Sequence, residues 1–552
     1  MRWLFYAGLF IILFALNANA AILIQSANGT YVANQSISTL ALARLQPNPI
    51  LITSALSAEQ SNISSDTVHS WGSTPITVAP GASINNTTLF SVATINADKT
   101  QQIFGGTGTV TGLYDATPEW FGAGTTSDDQ PAIQRAVNAA LRVEFLPRIY
   151  TLKNSVYILN ACSVFGAGMQ RTYLMFWGSN GFVISPPGYA VSIRDMEIRA
   201  YDSVGVVDPH LNTGIWMNGT SLQRVYNIDV QNVSLQGWGA SIGEYYTNNS
   251  TLHNIYTSNC LFGIHVFGQS INNNLSDSFI YVDPTIGASA FYQTPDPSNE
   301  DTAEGYIIAN TVLAYGSTTI NATRLLALQL LNNVIDLSSE TDVYLENCAA
   351  ATIIGNWIGP AASAIGIHLT ALSVDVEQGT AIIGNHILAS GGGNGMGILI
   401  GDRNIGITII GNHVEDAWYP IYVDTLARSV VVSSNVIKNT GPNFSITVSG
   451  LGNSVDGNLG DASIYWGQSG SERFTTTVTI NPGVVSPRYQ SGNIEMSDAV
   501  LGEACIVYPP YDLQGATATC YVRAKNMVVI NITAPAEGVT LGSGAWKVKV
   551  LP

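Results

Sequence analysis

The stretch Ile382-Ile-Gly-Asn-His-Ile387 returns almost unchanged as Ile409-Ile-Gly-Asn-His-Val414. Four looser copies keep the apolar residues and the asparagine: Ile307-Ile-Ala-Asn-Thr-Val312, Leu330-Leu-Asn-Asn-Val-Ile335, Ile353-Ile-Gly-Asn-Trp-Ile358 and Val432-Ser-Ser-Asn-Val-Ile437. The shared asparagines lie 23 to 29 residues apart and are Asn310, Asn333, Asn356, Asn385, Asn412 and Asn435, with Asn458 following. A period in the twenties with β-branched residues and a polar turn residue is typical of a β-solenoid.

The asparagines of this repeat are predicted to point inward, where stacked side-chain amides hydrogen-bond from coil to coil. The residue after each asparagine should then point outward. That column reads Thr311, Val334, Trp357, His386, His413 and Val436. A regular rod of this kind is expected to carry its function on its flank and in loops that break the period.

The composition excludes several classes of protein. Hydrophobic residues make up 46% of the chain, which argues against disorder, and charged residues only 11%. The formal net charge of −17 argues against a nucleic-acid partner, which needs a basic surface. Tight binding of a polyanion is also disfavoured unless cations bridge the two. We expect no cofactor, since no nucleotide-binding loop or paired-cysteine zinc motif is present.

Residues 1–20 have the pattern of a signal peptide. Arg2 precedes an apolar run from Leu4 to Leu16, and Ala18-Asn19-Ala20 resembles a cleavage site. We therefore expect a secreted protein that begins at Ala21 and does not contact a membrane after cleavage. The alternative is an uncleaved anchor, although the run is short for a membrane span.

The pattern changes along the chain indicate separate regions. After the signal peptide we predict an N-terminal β-rich region at 21–115, a parallel β-helix at 116–465 with a capping helix at 128–142, and a C-terminal β-sandwich-like module at 470–552. The helix is predicted from a cap at Ser127-Asp128-Asp129, from Pro131 in its first turn and from an apolar stripe that ends at Leu141. Its expected role is to cover the open end of the first coil.

The cysteines fall into two groups. Cys162, Cys260 and Cys348 are scattered through the coils and are predicted to be buried. Cys505 and Cys520 flank a predicted turn at Asp512-Leu-Gln-Gly515, so a cross-strand disulfide is a hypothesis for an exported protein. The alternative is two free thiols.

One segment resembles a known family. Glu119-Trp-Phe-Gly-Ala-Gly-Thr-Thr-Ser-Asp-Asp-Gln-Pro-Ala-Ile-Gln-Arg-Ala-Val137 is similar to the entry segment of pectate-lyase-like right-handed parallel β-helices, although its Gly-Asp turn is shortened. The preceding Gln102–Trp120 and the C-terminal module resemble phage and prophage tail-spike-like proteins. This resemblance implies a right-handed parallel β-helix, a homotrimer and the binding, often the cleavage, of bacterial surface polysaccharide. The polygalacturonase motifs of the family are absent, so no catalytic residue is transferred.

Two excursions break the period, at 201–218 and 281–305, and the second is rich in acids. Glycoside hydrolysis needs two carboxylates on one face, and strands on neighbouring coils supply suitable spacings. The predicted catalytic acids are Asp229, Glu244, Asp283, Glu300 and Asp301. Trp238, Tyr245 and Tyr246 are predicted to offer a stacking platform for sugar rings. The alternative is a set of solvated acids among turn aromatics.

A second patch is predicted on the outward column, at Trp357, His386 and His413, with Glu415 and Lys438 beside it. It could bind substrate or hold an acid–base pair, and a plain surface ladder is the alternative. A metal site is disfavoured by the sequence, because no third ligand has the spacing to complete it.

The sequence thus predicts an all-β protein with a capping helix that binds polysaccharide. It is expected to be secreted, or to be a virion tail spike if a phage encodes it. Endo-acting cleavage by paired carboxylates is preferred. The alternatives are a non-catalytic adhesin or structural spike, and a polysaccharide lyase or uronate epimerase.

Overall fold

A computed structural model describes residues 76–551, apart from 87–89, 92–93, 106–107, 202–210, 285–286, 299–301, 373–375, 378, 390–394, 439–444, 451, 461–462, 467–474, 497–498, 500 and 502. Before residue 76 it describes short strands only: Ile11–Ile12, Leu23–Gln25, Tyr31–Ala33, Ile50–Ile52, Leu56–Ala58 and His69–Ser70. The predicted signal peptide lies outside the described residues except for Ile11–Ile12. Within the described part of the chain, no helix is long and apolar enough to cross a membrane.

The central part of the chain is a right-handed column of stacked coils. Among the described residues it contains a long sheet of 24 strands and a second sheet of 13 strands, and neighbouring strands pair in parallel. A typical coil gives the long sheet two short strands separated by a bend, and gives the second sheet one strand. The predicted all-β parallel β-helix is therefore confirmed.

The strands of the long sheet are Leu113–Ala116, Ala140–Glu144, Ile149–Leu152, Ser163–Phe165, Tyr173–Trp177, Ser192–Tyr201, Asp229–Gln236, Thr251–Ser258, Asn274–Ser276, Phe279–Tyr281, Ile307–Ala309, Val312–Ala314, Gln329–Leu331, Val334–Asp336, Thr352–Ile354, Trp357–Gly359, Ala381–Ile383, His386–Leu388, Thr408–Ile410, His413–Glu415, Val431–Ser433, Val436–Lys438, Ser454–Asp456 and Leu459–Gly460. Those of the second sheet are Val156–Ile158, Phe182–Ile184, Leu211–Asn218, Trp238–Tyr245, Phe262–Phe267, Ser289–Thr294, Thr318–Thr323, Thr341–Glu346, Ile365–Thr370, Met396–Ile400, Tyr419–Val423, Ser445–Val448 and Ser463–Trp466. Two further strand pairs join Val225–Tyr226 to Thr247–Asn248 and Val376–Glu377 to Asn404–Ile405.

An asparagine ladder runs along the inside of the column, as predicted. The side-chain Nδ2 of Asn333 donates to Oδ1 of Asn356 at 3.0 Å and to the carbonyl of Ile308 at 2.9 Å. The same pattern repeats through Asn385, Asn412, Asn435 and Asn458 at 2.9–3.0 Å. Each Oδ1 also accepts a backbone N–H from the preceding coil, so a buried amide at this position satisfies backbone groups that the bend leaves free.

The predicted register was wrong by one residue at one coil. Thr311, not Asn310, occupies the inward position, since its backbone N–H donates to Oδ1 of Asn333 at 3.0 Å and the residue is buried. Asn310 instead sits at the bend with a φ of 50°. The outward column therefore begins at Val312, which pairs with Val334, and continues through the predicted Trp357, His386, His413 and Val436.

The bend explains why both asparagine and glycine recur there. Asn310 and Asn332 have φ values of 50° and 55°, and Gly355, Gly384 and Gly411 follow in the same position with φ of 63–68°. Left-handed backbone is favourable for glycine and tolerated by asparagine. The Ile-Ile-Gly-Asn phrase is thus a left-handed turn residue followed by a ladder residue.

The helix is shorter than predicted and spans Gln130–Ala139. Ala140 already begins a strand, and Leu141 is 55% exposed on it, so Leu141 does not belong to the apolar stripe. Ile133, Ala136 and Val137 are buried, as predicted. A short 3-10 helix at Pro118–Phe121 precedes it.

The aspartate pair before the helix fixes loops instead of capping the helix through Asp129. The Asp129 carboxylate accepts backbone N–H groups from Gly124 at 2.5 Å and Thr151 at 3.0 Å. The Asp128 carboxylate accepts from Gln130 at 3.1 Å and from Lys153 at 3.2 Å. The pair therefore holds the start of the helix against the first coil.

The residues before the helix also form parallel strands, which the sequence did not reveal. The strands Ile76–Val78, Ile84–Asn86 and Phe90–Ser91 pair with strands about one coil later. These partners are Ile95–Asn96, Phe104–Gly105 and Val110–Thr111. The helix packs against Val110–Thr111 and against the first coil, and one apolar core runs from Ile76 to Val448.

The C-terminal strands are antiparallel and have their own apolar core around Trp546 and Ile530. One sheet contains Thr475–Ile480, Gly544–Leu551 and Ala504–Tyr508, and another contains Arg488–Gln490, Met527–Thr533, Ile494–Glu495 and Thr517–Ala524. Gly483–Val485 pairs with Val539–Leu541.

Cys505 and Cys520 form a disulfide with a Cα–Cα distance of 5.4 Å. The two strands that carry them belong to different sheets, so the bond joins the two layers and does not cross a hairpin. Cys162, Cys260 and Cys348 are free and buried, as predicted.

Removing this disulfide should destabilise the C-terminal strands selectively. Closing a loop of 15 residues is worth about 3 kcal/mol on the chain-entropy estimate. We expect a Cys505→Ser and Cys520→Ser double variant to shift the C-terminal unfolding transition to lower denaturant, measured by hydrogen exchange at Val528–Ile532, while amides of the asparagine ladder exchange as before. Unchanged protection at Val528–Ile532 would contradict the structural role of the bond.

Candidate functional site

The described residues form a groove of about 780 Å³ on the outer face of the long sheet. Its floor is formed by Ser192–Tyr201, Asp229–Gln236 and Thr251–Ser258, with Phe279 at one end. These parallel strands pair in register, so their residues lie directly above one another and the outward side chains form two columns. One column reads Glu197, Ser234, Tyr256 and Phe279, and the other reads Arg199, Gln236, Ser258 and Tyr281.

One side of the groove is formed by the turn that leads into Tyr173–Trp177. Gly168, Met169, Gln170 and Arg171 line it. The turn is held against the next coil because the backbone N–H of Gly168 donates to the carbonyl of Asp195 at 2.8 Å. Gly166 is required for this approach, since a Cβ there would lie 2.4 Å from the same carbonyl oxygen.

An aromatic patch extends the groove along the column axis. It consists of Tyr256, Phe279, Tyr281 and Tyr315, and the first two are 41% and 46% exposed. Ring centroids lie 6.0 Å apart for Tyr256 and Tyr281 and 6.1 Å apart for Tyr281 and Tyr315. The patch therefore presents a continuous run of aromatic rings across three coils, next to the polar floor of the groove.

The charged pair of the groove is Glu197 and Arg199. The Arg199 Nε donates to Oε1 of Glu197, and the guanidinium carbon lies 5.4 Å from the ring centroid of Tyr173. The Glu197 side chain is only 8% exposed, whereas Arg199 is 30% exposed. Among the residues that the structure describes, Glu197 is the one carboxylate that lines the groove. Arg171 lines the groove as well and is its second cation, beside Arg199.

The predicted catalytic acids do not converge in the described structure. Asp229 lies outward on the long sheet and accepts from Ser192 at 3.4 Å and from Gln231 at 2.9 Å. Asp283 follows the aromatic patch, and its backbone N–H donates to the carbonyl of Cys260 at 2.8 Å. Among the described residues, neither of the two has a hydrogen bond or ion pair with another carboxylate. Glu300 and Asp301 lie outside the described residues.

Glu244 and Trp238 are placed inside the column, which corrects their predicted roles. Trp238 is fully buried and its Nε1 donates to the carbonyl of Ile198 at 3.1 Å, so its ring offers no face to an external sugar. Glu244 is also fully buried and accepts from Ser250 and from Asn273. Burial raises the pKa of Glu244 to about 7, although hydrogen bonds from Ser250 and Asn273 oppose this rise.

The two predicted tyrosines also separate. Tyr246 is buried at a corner with a φ of 50°, and its hydroxyl donates to Asp296. Tyr245 lies on the outer face of the second sheet, where its ring meets Trp216 edge-on and its hydroxyl lies 3.1 Å from Nδ1 of His265. This sheet is a different wall from the one that carries the groove. Of the excursion at 201–218, residues 202–210 lie outside the described part.

The second predicted patch is assembled as expected. The rings of His386 and His413 stack with centroids 4.7 Å apart, and Trp357 meets His386 edge-on at 4.5 Å. Nε2 of His413 lies 2.8 Å from Oε1 of Glu415, and Nζ of Lys438 lies 3.4 Å from the same oxygen. This histidine patch lies in the same outward columns as the groove, several coils further along the column.

The groove could not be predicted from the sequence because its residues do not form a motif. Glu197, Arg199 and Tyr256 belong to coils that lack the Ile-Ile-x-Asn phrase, so the outward columns could not be aligned there. One available signal was the alternation within Ser192–Tyr201, where Ile198 and Ala200 point inward and Glu197 and Arg199 point outward.

No family model matches the chain, and no curated protein matches it. Solved structures with a related backbone include the Dettilon tailspike protein, at 12% identity and a TM-score of 0.45, covering 79% of this chain and 94% of that one. A mutant tailspike protein of E. coli bacteriophage HK620 in complex with pentasaccharide has 11% identity and a TM-score of 0.47, with coverage of 78% and 90%. PfbA, a surface adhesin of Streptococcus pneumoniae, has 15% identity and a TM-score of 0.39, with coverage of 66% and 92%. No functional residue is transferred from these proteins, and the pectate-lyase-like resemblance stays a prediction.

Proposed function

We propose that this chain binds an extended polysaccharide along the groove and its aromatic patch. The observation that carries the proposal is the combination of the exposed rings of Tyr256 and Phe279 and the half-buried ring of Tyr281 with a polar floor. Aromatic faces pack against the apolar faces of sugar rings, and amide and hydroxyl groups such as those of Gln236 and Ser258 bond to sugar hydroxyls.

The dimensions of this surface suit a polymer. Five stacked strands, from the strand of Arg199 to the strand of Val312–Ala314, extend about 19 Å along the axis, since each strand spacing is about 4.8 Å. Two arginines and one glutamate line the groove, so it can accept a neutral sugar or one that bears a carboxylate. A long acidic polymer fits less well with a chain of net charge −17.

Cleavage of the bound polysaccharide is the second part of the proposed function. Hydrolysis by paired carboxylates would need a second acid beside Glu197, and Glu300 and Asp301 are predicted candidates for it. An alternative chemistry is elimination or epimerisation at a uronate, which is favoured by the presence of Arg199 beside an acid. Binding without cleavage is supported by the single carboxylate in the described groove.

A polysaccharide screen tests the function. Purified protein is incubated with bacterial capsular and plant polysaccharides, and products are measured as new reducing ends and as absorbance of unsaturated sugars. Reducing ends alone support hydrolysis, and absorbance supports a lyase. Binding on a glycan array without either signal supports the adhesin, and no binding at all contradicts the proposal.

Secretion and a homotrimer also remain predictions. The mass of the purified assembly tests whether the protein is a homotrimer.

The aromatic patch should dominate affinity. We expect Phe279→Ala and Tyr281→Ala each to weaken binding of the best polysaccharide from the screen by about tenfold, since an aromatic contact is worth on the order of 1 kcal/mol beyond its buried area. Affinity is measured by calorimetry with a defined oligosaccharide. Tyr189→Ala is the matched control, because Tyr189 is 57% exposed and does not line the groove. Equal losses in the control and the patch variants would place the site elsewhere.

A further inference from the structure

The histidine patch has the geometry of a metal site. Its members are His386, His413 and Glu415, and their ligand atoms all lie within 4.8 Å of one another. The near-identical phrases at 382–387 and 409–414 place the two histidines in direct register on adjacent coils. Glu415 lies two residues after His413 on the same strand face, so the fold itself brings a third ligand beside the two imidazoles.

Two of the three distances within the cluster are close to those of a coordination shell. Oε1 of Glu415 lies 2.8 Å from Nε2 of His413 and 3.8 Å from Nε2 of His386. Ligands bound to zinc at about 2.0–2.1 Å in a tetrahedral arrangement lie about 3.3 Å apart. The two separations bracket this value, and small side-chain rotations would bring all three atoms onto one ion.

A second observation points to a ligand. The His386 and His413 side chains are 36% and 30% exposed, but their Nε2 atoms are shielded from solvent and make no well-aligned hydrogen bond within the described part of the chain, although that of His413 lies 2.8 Å from Oε1 of Glu415. Buried polar atoms are normally hydrogen-bonded, so two such nitrogens beside one acid need an explanation. A shared cation would satisfy both nitrogens and the carboxylate at once.

We propose that His386, His413 and Glu415 bind a divalent transition metal, with zinc as the expected occupant. Two imidazoles and one carboxylate suit zinc, cobalt or nickel, whereas calcium and magnesium prefer oxygen ligands. Three protein ligands leave a coordination position open toward solvent, next to the exposed ring of Trp357. Lys438 is 61% exposed, so its ammonium can leave Glu415 when the ion enters.

Metal titration of the whole chain tests this site. Protein without a polyhistidine tag is freed of metal with a chelator and titrated with zinc chloride by calorimetry. We expect one site per chain, and His386→Ala and His413→Ala should each weaken it on the order of a hundredfold, since even loss of an outer-shell partner costs 10–100-fold. His253→Ala is the matched control, because Nδ1 of His253 lies 3.3 Å from Asp277 but belongs to no cluster of three metal-binding side chains in the described part of the chain.

Two further measurements keep the test decisive if an alanine variant folds poorly. Glu415→Gln retains the size of the side chain, and it should weaken zinc and alter the visible absorption of bound cobalt. Bound cobalt should also quench part of the tryptophan fluorescence. This quenching should be lost in Trp357→Phe, whereas the affinity of that variant for the metal should be retained. Absence of zinc binding by the native chain, or binding that persists in His386→Ala, His413→Ala and Glu415→Gln, would overturn the proposal.

Discussion

Asn333→Ala is expected to destabilise the column by about 3 kcal/mol or more. The substitution removes the acceptor of the Thr311 N–H and the donor to the Ile308 carbonyl, both inside the column. It also removes the bond to Asn356. A buried donor or acceptor left without a partner costs about 1–3 kcal/mol, and the interior cannot readily admit water to replace the amide.

The neighbouring residue supplies the matched control. Asn332 sits at the bend, where the next coils carry Gly355 and Gly384, so Asn332→Gly should change stability by at most about 0.5 kcal/mol. Asn333→Thr should recover part of the loss, because Thr311 already occupies the same position one coil earlier. The thermal midpoint and the exchange rate of the Thr311 amide are measured for each variant. Equal effects at positions 332 and 333 would show that the ladder does not hold the coils together.

The fold could be predicted because a solenoid repeats its signals. One phrase fixes an apolar interior, a left-handed turn and a ladder residue, and six copies of it reinforce one another. The error at Asn310 arose because asparagine serves in two adjacent positions, at the bend and in the ladder. Position 311 could be assigned only when hydrogen-bond partners were known, since threonine can replace the ladder asparagine.

The site was harder to predict, for a physical reason. An acid near an aromatic residue can face a ligand at the surface or lie in the interior of the column. Which of the two occurs depends on the side to which the strand directs the acid, and this side changes at the corners of the coil. Within the strand Trp238–Tyr245, Glu244 points inward, whereas the next residue, Tyr245, points outward. The stacking of His386 on His413 could be predicted because both residues lie within the repeat, where the register is fixed. The sequence placed Glu415 beside this patch but gave no reason to treat it as a third ligand, because its approach to both imidazoles depends on how the folded strands stack.

Two buried acids should make the column less stable as the pH rises. Burial raises the pKa of Glu244 from 4.5 to about 7 and that of Asp342 from 3.8 to about 8. Both side chains are fully buried, and Oδ2 of Asp342 has no hydrogen-bond partner among the described residues. The folded chain therefore holds two protons that the unfolded chain has released, and their stabilising contribution is complete below about pH 4 and is lost as the pH rises through 7 to 8.

The double variant Glu244→Gln and Asp342→Asn should remove this dependence. Each shift corresponds to roughly 3 kcal/mol or more, so the variant should become increasingly more stable than the native chain between pH 4.5 and 8. Comparing the variant with the native chain at each pH cancels the contribution of His265 to stability, because both chains contain it. Burial lowers the pKa of His265 to about 4, so its effect on stability below pH 6.5 has the opposite sign. Thermal midpoints are measured across this range, with the exposed Glu304→Gln as control. A constant difference between variant and native chain would mean that both acids are already ionised in the folded column, and the hydrogen bonds to Glu244 and Asp342 would then outweigh the cost of burying their charge.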